Sequence, residues 1–330
     1  MSTVTSDCRN PATPPLQDLR IGVLCGGNSP ERPGSLASGA AAAKGLAQAG
    51  LTGELIDVAE VPVDQFARSI DVALLALHGL GGEDGKMQGA LDLYGVPYTG
   101  SGVLASATGM DKTALKTLLA AQHIDTPRWA ELNPALSTAA TLDMIKHSLG
   151  YPVFYKPVSG GGSLEAGVAH DQQQMTDLLE RAKVHPYERY MAEPLLDGSP
   201  CTVGLIEIDG ALTALPVLHV RTDREFYDYD AKHDLTLRTE TCPADLPDGL
   251  TRQMQATAKR VHQLVGAHGV SRVDFMVTPG GRAAVLEINT LPGLSEHGNL
   301  ATMARAAGIS YPDLMVHILR SAFSKPAYLP

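Results

Sequence analysis

The feature that most constrains this chain is the stretch 271–294, SRVDFMVTPGGRAAVLEINTLPGL. It sets Asp274, Glu287 and Asn289 on two short apolar segments joined by Pro279-Gly280-Gly281. Val273, Phe275 and Val277 alternate with Asp274 and Met276, and 284–288 is apolar except for Glu287. Period-two alternation on either side of a glycine turn predicts two adjacent antiparallel strands. A carboxylate inside a run that should be buried needs a cation. Mg²⁺ is commonly held by one or two carboxylates together with substrate phosphates. Paired acids beside Arg272 therefore imply phosphate chemistry on a nucleotide; the plain alternative is half-exposed strands with acids facing water.

The chain has 330 residues, room for two or three domains with a sizeable core. Its net charge of −10 argues against a general nucleic-acid binder. That charge does not argue against ATP, because a local cluster of cations with Mg²⁺ can hold a triphosphate in an acidic protein. Cys8, Cys25, Cys201 and Cys242 form no CxxC or Cys/His pair of zinc spacing and read as reduced thiols. No apolar stretch is long enough to span a membrane. Residues 1–18 are polar and proline-rich without an apolar signal core, and read as a disordered tail.

The apolar run 20–24, the turn Cys25-Gly26-Gly27-Asn28-Ser29, an alanine-rich helical segment 35–49 and strands at 54–58 and 71–77 make a βαβ pattern. Such a pattern implies a parallel sheet with ligands at its C-terminal edge. Helical patterns follow at 87–94 and 112–122, and a strand at 152–156. From 190 onward the pattern is antiparallel, with strands at 190–193, 202–208 and 214–220 before the opening pair. Residues 310–323 form a closing amphipathic helix. The domains predicted are an α/β unit at 19–107, a small middle unit at 108–190 and an α+β unit at 191–330.

Four loops carry chemistry. Glu31 and Arg32 follow the first glycine turn at a strand's C-terminal edge, where ligand contact competes with ordinary surface charge. HGLGGEDGKMQG crowds His78, Glu83, Asp84 and Lys86 among glycines and reads as a binding loop. In YKPVSGGGSLEAG, Lys156 supplies charge, and the glycines let backbone N–H groups turn toward an anion, which favours a flexible lid over a surface hairpin. FYDYDAKHD, residues 226–234, reads as a loop that orders over a ligand, with Lys232 as a further cation for phosphates.

Taken in order, GGNSPERPGSLASG, ALHGLGGEDGKMQGALDLYGVPYTGSGVLASATGMDK, FYDYDAKH and EINTLPGLSEH resemble the D-alanine–D-alanine ligases of the ATP-grasp superfamily. The resemblance runs from about residue 20 onward. It implies a three-domain ATP-grasp fold, α/β and α+β, whose N-terminal domain holds a parallel sheet. It also implies ATP-dependent joining of an amino-acid carboxylate to an amine through an acyl phosphate, in the cytoplasm and in cell-wall synthesis. By that resemblance, Lys112 and Lys156 hold ATP phosphates with Lys232 closing on them, and Glu193, Leu195 and Leu196 form the hinge that meets adenine. Asp274, Glu287 and Asn289 bind two Mg²⁺, with Mn²⁺ as the alternative ion. Glu31 takes the ammonium of the first amino acid with His78 nearby, and Arg272 and the Gly293 N–H stabilise the tetrahedral oxyanion. The partners implied are small amino acids and a second copy of the chain, with no nucleic acid and no membrane.

The residues that match the family's triphosphate and metal positions are kept, while the lid and the second-substrate end depart from its pattern. Gly34 stands for a valine in ERxVSL. The lid is longer than KPxxxGSSVG, which makes its serine ambiguous, and Ser163 is the residue assigned. The locking tyrosine after the loop lysine is His233, an imidazole able to change charge near neutral pH. The ribose-binding glutamate falls at Pro200, and the serine that meets the second substrate's carboxylate falls at Gly298, after His297. Two competing readings follow: a specialised dipeptide or depsipeptide ligase with another second substrate, in secondary metabolism, and a non-catalytic nucleotide-binding homologue. Retention of Arg272 argues against the second, since a pure binder needs no oxyanion arginine.

Overall fold

The structure, a computed structural model, describes residues 14–133, 135–183, 189–224, 226 and 234–326. In the first unit, β1 (Ile21–Cys25), α1 (Arg32–Gln48), β2 (Gly53–Asp57), α2 (Val63–Ser69) and β3 (Val72–Leu75) form a parallel sheet of order β2-β1-β3. β1 and β3 are buried along their whole length, as parallel strands covered on both faces must be. Next come α3 (Lys86–Tyr94), α4 (Val103–Met110) and α5 (Lys112–Ala121). Asp111 caps α5 by accepting from the N–H groups of Thr113 and Ala114, which fixes Lys112 at the first helical position.

The middle unit holds β4 (Ala130–Leu132), α6 (Thr138–Ser148), β5 (Val153–Pro157), β6 (Gly167–Ala169), α7 (Gln172–Ala182) and β7 (Tyr190–Pro194). Its sheet is antiparallel, of order β4-β7-β5-β6. The third unit has β8 (Ser199–Ile208), β9 (Ala211–Ala214), β10 (Leu218–Arg221), β11 (Thr239–Thr241), α8 (Asp248–Leu264), β12 (Val270–Val277), β13 (Ala283–Asn289), α9 (Asn299–Ala306) and α10 (Tyr311–Ser321). Its strands run in the order β11-β10-β8-β12-β13, with β9 against β8. The predicted strand at 214–220 is therefore two strands, interrupted at Leu215-Pro216-Val217, where proline has no N–H to give a ladder.

The first and third units share a core: Val23, Val72 and Leu74 pack in one cluster with Ile206, Leu300, Met315 and Ile318. Leu16 belongs to it too, in a 3₁₀ turn at Leu16–Asp18, so residues 16–18, predicted as part of a disordered tail, are packed into the fold. The back of the third sheet is covered by α8 through Val203, Phe275 and Val261. Cys25, Cys201 and Cys242 are free thiols; Cys8 lies outside the described residues. No described helix is long and apolar enough to cross a membrane.

Candidate active site

A cavity of about 1060 Å³ lies between the middle and third sheets and is closed at one end by the first unit. The β12–β13 pair forms its floor as the alternation predicts: Val273 and Phe275 are buried behind the sheet while Arg272 and Asp274 face the cavity. Asp274 stands opposite Glu287 on β13 and opposite Thr202 on β8. A bulge after Asp274 moves the pairing from Glu287 to Val285, so Leu286 and Glu287 both line the cavity while Val285 turns into the core. That shift was not legible in the apolar run.

Each acid on the floor already has a cation. Arg272 grips Asp274 with two hydrogen bonds, 2.8 and 2.9 Å long, and Thr202 Oγ1 donates to the same carboxylate at 2.5 Å. Lys112 Nζ lies 3.7 Å from Glu287 and also donates to the Gly160 carbonyl of the glycine loop. Asn289 Oδ1 accepts from the Leu291 N–H at 2.8 Å, which fixes the amide at the strand's end.

These donors suit a magnesium ion. They are oxygens, on adjacent strands and facing one cavity. Among the described residues no group of three or more His, Cys, Asp or Glu side chains stands in a metal-binding arrangement. Two carboxylates and an amide need further oxygens to complete such a shell, which is the situation of a Mg²⁺ that shares its ligands with phosphates.

The opposite wall is a buried ion cluster. Lys156 and Glu193 share a face of the β5–β7 ladder and meet at 3.0 Å. The second oxygen of Glu193 lies 2.6 Å from Lys116 Nζ. Burial raises the Glu193 carboxyl, but Lys156 and Lys116 together more than offset it and hold its pKa below the ordinary value. Burial lowers Lys112, and it draws Lys116 down to about 8. Lys116 was not singled out from sequence, although its spacing of one helical turn from Lys112 on the amphipathic α5 puts both on one face.

The first unit closes the end. Ser29 Oγ donates to the His78 carbonyl at 2.6 Å, and His78 Nε2 lies 2.9 Å from Ser38 Oγ and beside Gly293. Arg32 is paired to Asp57 at 2.6 Å, which anchors the start of α1 directly after Glu31. A Cβ on Gly161 would stand 2.6 Å from Glu31 Oε1, so the glycine loop reaches across to that carboxylate. Ser163 holds a positive φ of 59° in the same loop.

Glu31, His78, Lys112, Lys156, Ser163, Glu193, Leu195, Leu196, Arg272, Asp274, Glu287, Asn289, Gly293, His297 and Gly298 all line this one cavity. Lys232 and His233 lie outside the described residues. Arg221, Arg224 and Arg238 also line it and were not anticipated; they flank the FYDYDAKH loop without belonging to a recognisable motif.

Comparison with known proteins agrees along the chain. A family model described as the D-ala D-ala ligase C-terminus matches residues 118–320, and one described as the N-terminus matches 55–101. A D-alanine–D-alanine ligase of Geobacter sulfurreducens is 38% identical over 309 residues, 93% of this chain and 95% of that protein. The structure of the D-alanine–D-alanine ligase of Bacillus anthracis complexed with ATP superposes with a TM-score of 0.78 at 30% identity, covering 93% of this chain and 98% of that one. The VanG D-Ala:D-Ser ligase of Enterococcus faecalis also reaches 0.78, at 25% identity over 92% of this chain and 99% of that one.

Proposed function

The chain belongs to the D-alanine–D-alanine ligase family of ATP-grasp enzymes, and we propose that its cavity joins two D-alanines as follows, with ATP cleaved to ADP. Lys112 and Lys156 hold the triphosphate, while Leu195, Leu196 and Glu193 meet adenine. Asp274, Glu287 and Asn289 are the residues that would hold Mg²⁺, which when bound neutralises charge on the phosphates. Glu31 and His78 orient the first D-alanine so that its carboxylate oxygen attacks the γ-phosphorus, giving an acyl phosphate and ADP. In-line transfer of this kind is catalysed mainly by positioning and by fixed charge. The amine of the second D-alanine then attacks the acyl carbon. Arg272 and the Gly293 N–H stabilise the tetrahedral oxyanion, and phosphate leaves as the peptide bond forms. Ser163, in the glycine loop, helps keep water from the acyl phosphate together with the segment that carries Lys232 and His233.

The observation that carries this reading is the meeting of Arg272, Asp274, Glu287, Lys112 and Lys156 with Glu31 and His78 in one cavity. A nucleotide-binding protein without ligase activity has no use for the second group. The dipeptide is a component for peptidoglycan, made in the cytoplasm. A homodimer is part of the proposal, supported by the exposed Val103, Leu104, Leu93 and Tyr94 on the neighbouring helices α3 and α4.

The test is ADP release with D-alanine alone and with pairs of D- and L-amino acids, the products identified by mass. The expected result is D-alanyl-D-alanine from D-alanine alone. No ADP release with any pair would overturn the assignment.

A further inference from the structure

Lys116 is fully buried, contributes nothing to the cavity wall, and still carries an ammonium into the charge cluster beside it. An ammonium has three hydrogens to give. Here Nζ faces Thr126 Oγ1 at 2.7 Å, the Pro127 carbonyl at 2.9 Å and Glu193 Oε1 at 2.6 Å. The first two are hydrogen bonds and the third an ion pair, and full burial away from the cavity wall keeps this ammonium from any substrate. Thr126 in turn donates to the Val285 carbonyl at 2.8 Å. The contacts thus run from the hinge strand β7 through Lys116 to β13, two residues from Glu287.

Glu193 has two oxygens and two lysines: Oε1 meets Lys116 and Oε2 meets Lys156. Lys156, unlike Lys116, lines the cavity. If Lys116 were neutral, the whole charge of a buried carboxylate would fall on Lys156 and hold its ammonium back from an incoming anion. With Lys116 present, half of that demand is met from behind.

We propose that Lys116 is a positioning residue that, by sharing Glu193, leaves the Lys156 ammonium available to the phosphates of the nucleotide. The proposal rests on the assignment of Lys156 to those phosphates. It gives Glu193 a role besides the hinge, as the shared counter-ion of two lysines with different tasks. Lys116 keeps its charge at neutral pH because the attraction of Glu193 opposes the burial that lowers it.

Inorganic tripolyphosphate, as a competitive inhibitor against ATP, reads the phosphate end without the adenine hinge. In the full-length enzyme, Lys116→Met raises its Ki by about tenfold, the size of one charge-assisted contact, while Lys116→Arg keeps it within about threefold of wild type. Glu193→Gln lowers Ki by about threefold, and Lys116→Met with Glu193→Gln brings it back near the wild-type value, since Lys156 has then lost its competitor. A merely structural Lys116 would instead make the double variant weaker than either single one. The proposal is overturned if Lys116→Met leaves Ki unchanged, or if the double variant is no tighter than Lys116→Met. Should Lys116→Met not fold, Glu193→Gln decides alone: a lower Ki supports the proposal and an equal or higher one overturns it. Lys156→Ala separates the two layers. If it leaves Ki unchanged, the phosphate assignment of Lys156 itself has failed. If it weakens inhibition while Lys116→Met does not, only the role of Lys116 has.

Discussion

The two ends of the cavity are built on different principles. At the end proposed for the nucleotide the charges are numerous, largely buried and already paired with one another: Lys116 and Lys156 with Glu193, Lys112 with Glu287, Arg272 with Asp274. At the end proposed for the acceptor the wall is made of Gly293, Ser295, His297 and Gly298, and the glycine loop of Gly160, Gly161, Gly162 and Ser163. A buried ion cluster tolerates little change, because removing one partner strands a charge at a cost of about 3–5 kcal/mol. Small residues at a cavity wall tolerate change cheaply. The ligase pattern is accordingly kept where charges interlock and altered at the lid and the acceptor wall. Pro200, in place of the ribose-binding glutamate, and Gly34 on α1, in place of a valine, are the exceptions, and both stand outside the ion cluster. The D-Ala:D-Ser ligase and the ATP-bound D-alanine–D-alanine ligase superpose with the same TM-score, so the overall fold alone does not tell the two kinds of ligase apart.

The largest effect expected is at Arg272. Arg272→Ala lowers kcat by about 10³-fold, the scale of one lost oxyanion donor, with a far smaller change in KM for ATP. Steady-state kinetics with D-alanine check this. Ligation left intact would remove Arg272 from the reaction and make it only a partner of Asp274, which would break the contrast between the two ends.

The strength of the nucleotide end also depends on what lies behind it. His262 on α8 holds its Nδ1 2.7 Å from Ser271 Oγ, in the residue before Arg272, and burial together with the nearby His268 lowers it to about 4. His268 is lowered as well, again first by burial. The unfolded chain binds the His262 proton below its ordinary 6.5, while the folded chain resists until about 4. Stability is therefore complete above that ordinary value and lost as pH falls through the window between the two. At pH 5 the loss from His262 is about 2 kcal/mol. Urea unfolding at pH 7 and pH 5 measures it, and His262→Gln should flatten the difference. An unchanged pH dependence in that variant would place the acid sensitivity elsewhere.

The order of elements and the floor of the site were legible because both follow from periodicity. Alternation at Val273, Phe275 and Val277 gave β12, and glycine turns after strands gave the parallel unit. What escaped is what periodicity does not encode. The bulge at Leu286 inserts one residue into an otherwise regular run. Pro216 divides an apolar stretch into β9 and β10. α7 has a polar composition and only Met175 fully buried, so it offers little apolar signal. Lys116 escaped for another reason. A lysine on an amphipathic helix reads as a solvent-facing residue, and its burial is set by Glu193, which is 77 positions away in the chain.

The smallest effect expected is at the acceptor end, and it tests the contrast most directly. Gly298 caps α9 with φ −80°, a conformation open to any L-residue, so the backbone does not require glycine there. A Cβ at this position would stand 2.7 Å from Ser295 Oγ, the end of a small side chain that can rotate aside, and 3.3 Å from the Ser295 carbonyl oxygen, a tight contact that a small backbone shift relieves. Gly298→Ser therefore folds, and its hydroxyl sits at a helix N-terminus, where a carboxylate is favoured. A hydroxyl bond to a carboxylate that keeps part of its water is worth about 1 kcal/mol net, so KM for the second D-alanine should fall by about threefold to fivefold, while KM for ATP stays as it is and stability drops slightly. A kinetic titration at saturating ATP, with the two D-alanine constants fitted separately, reads the effect. If KM for ATP moves with it, the two ends are coupled through the cavity floor, and the division between a fixed nucleotide end and an adjustable acceptor end fails.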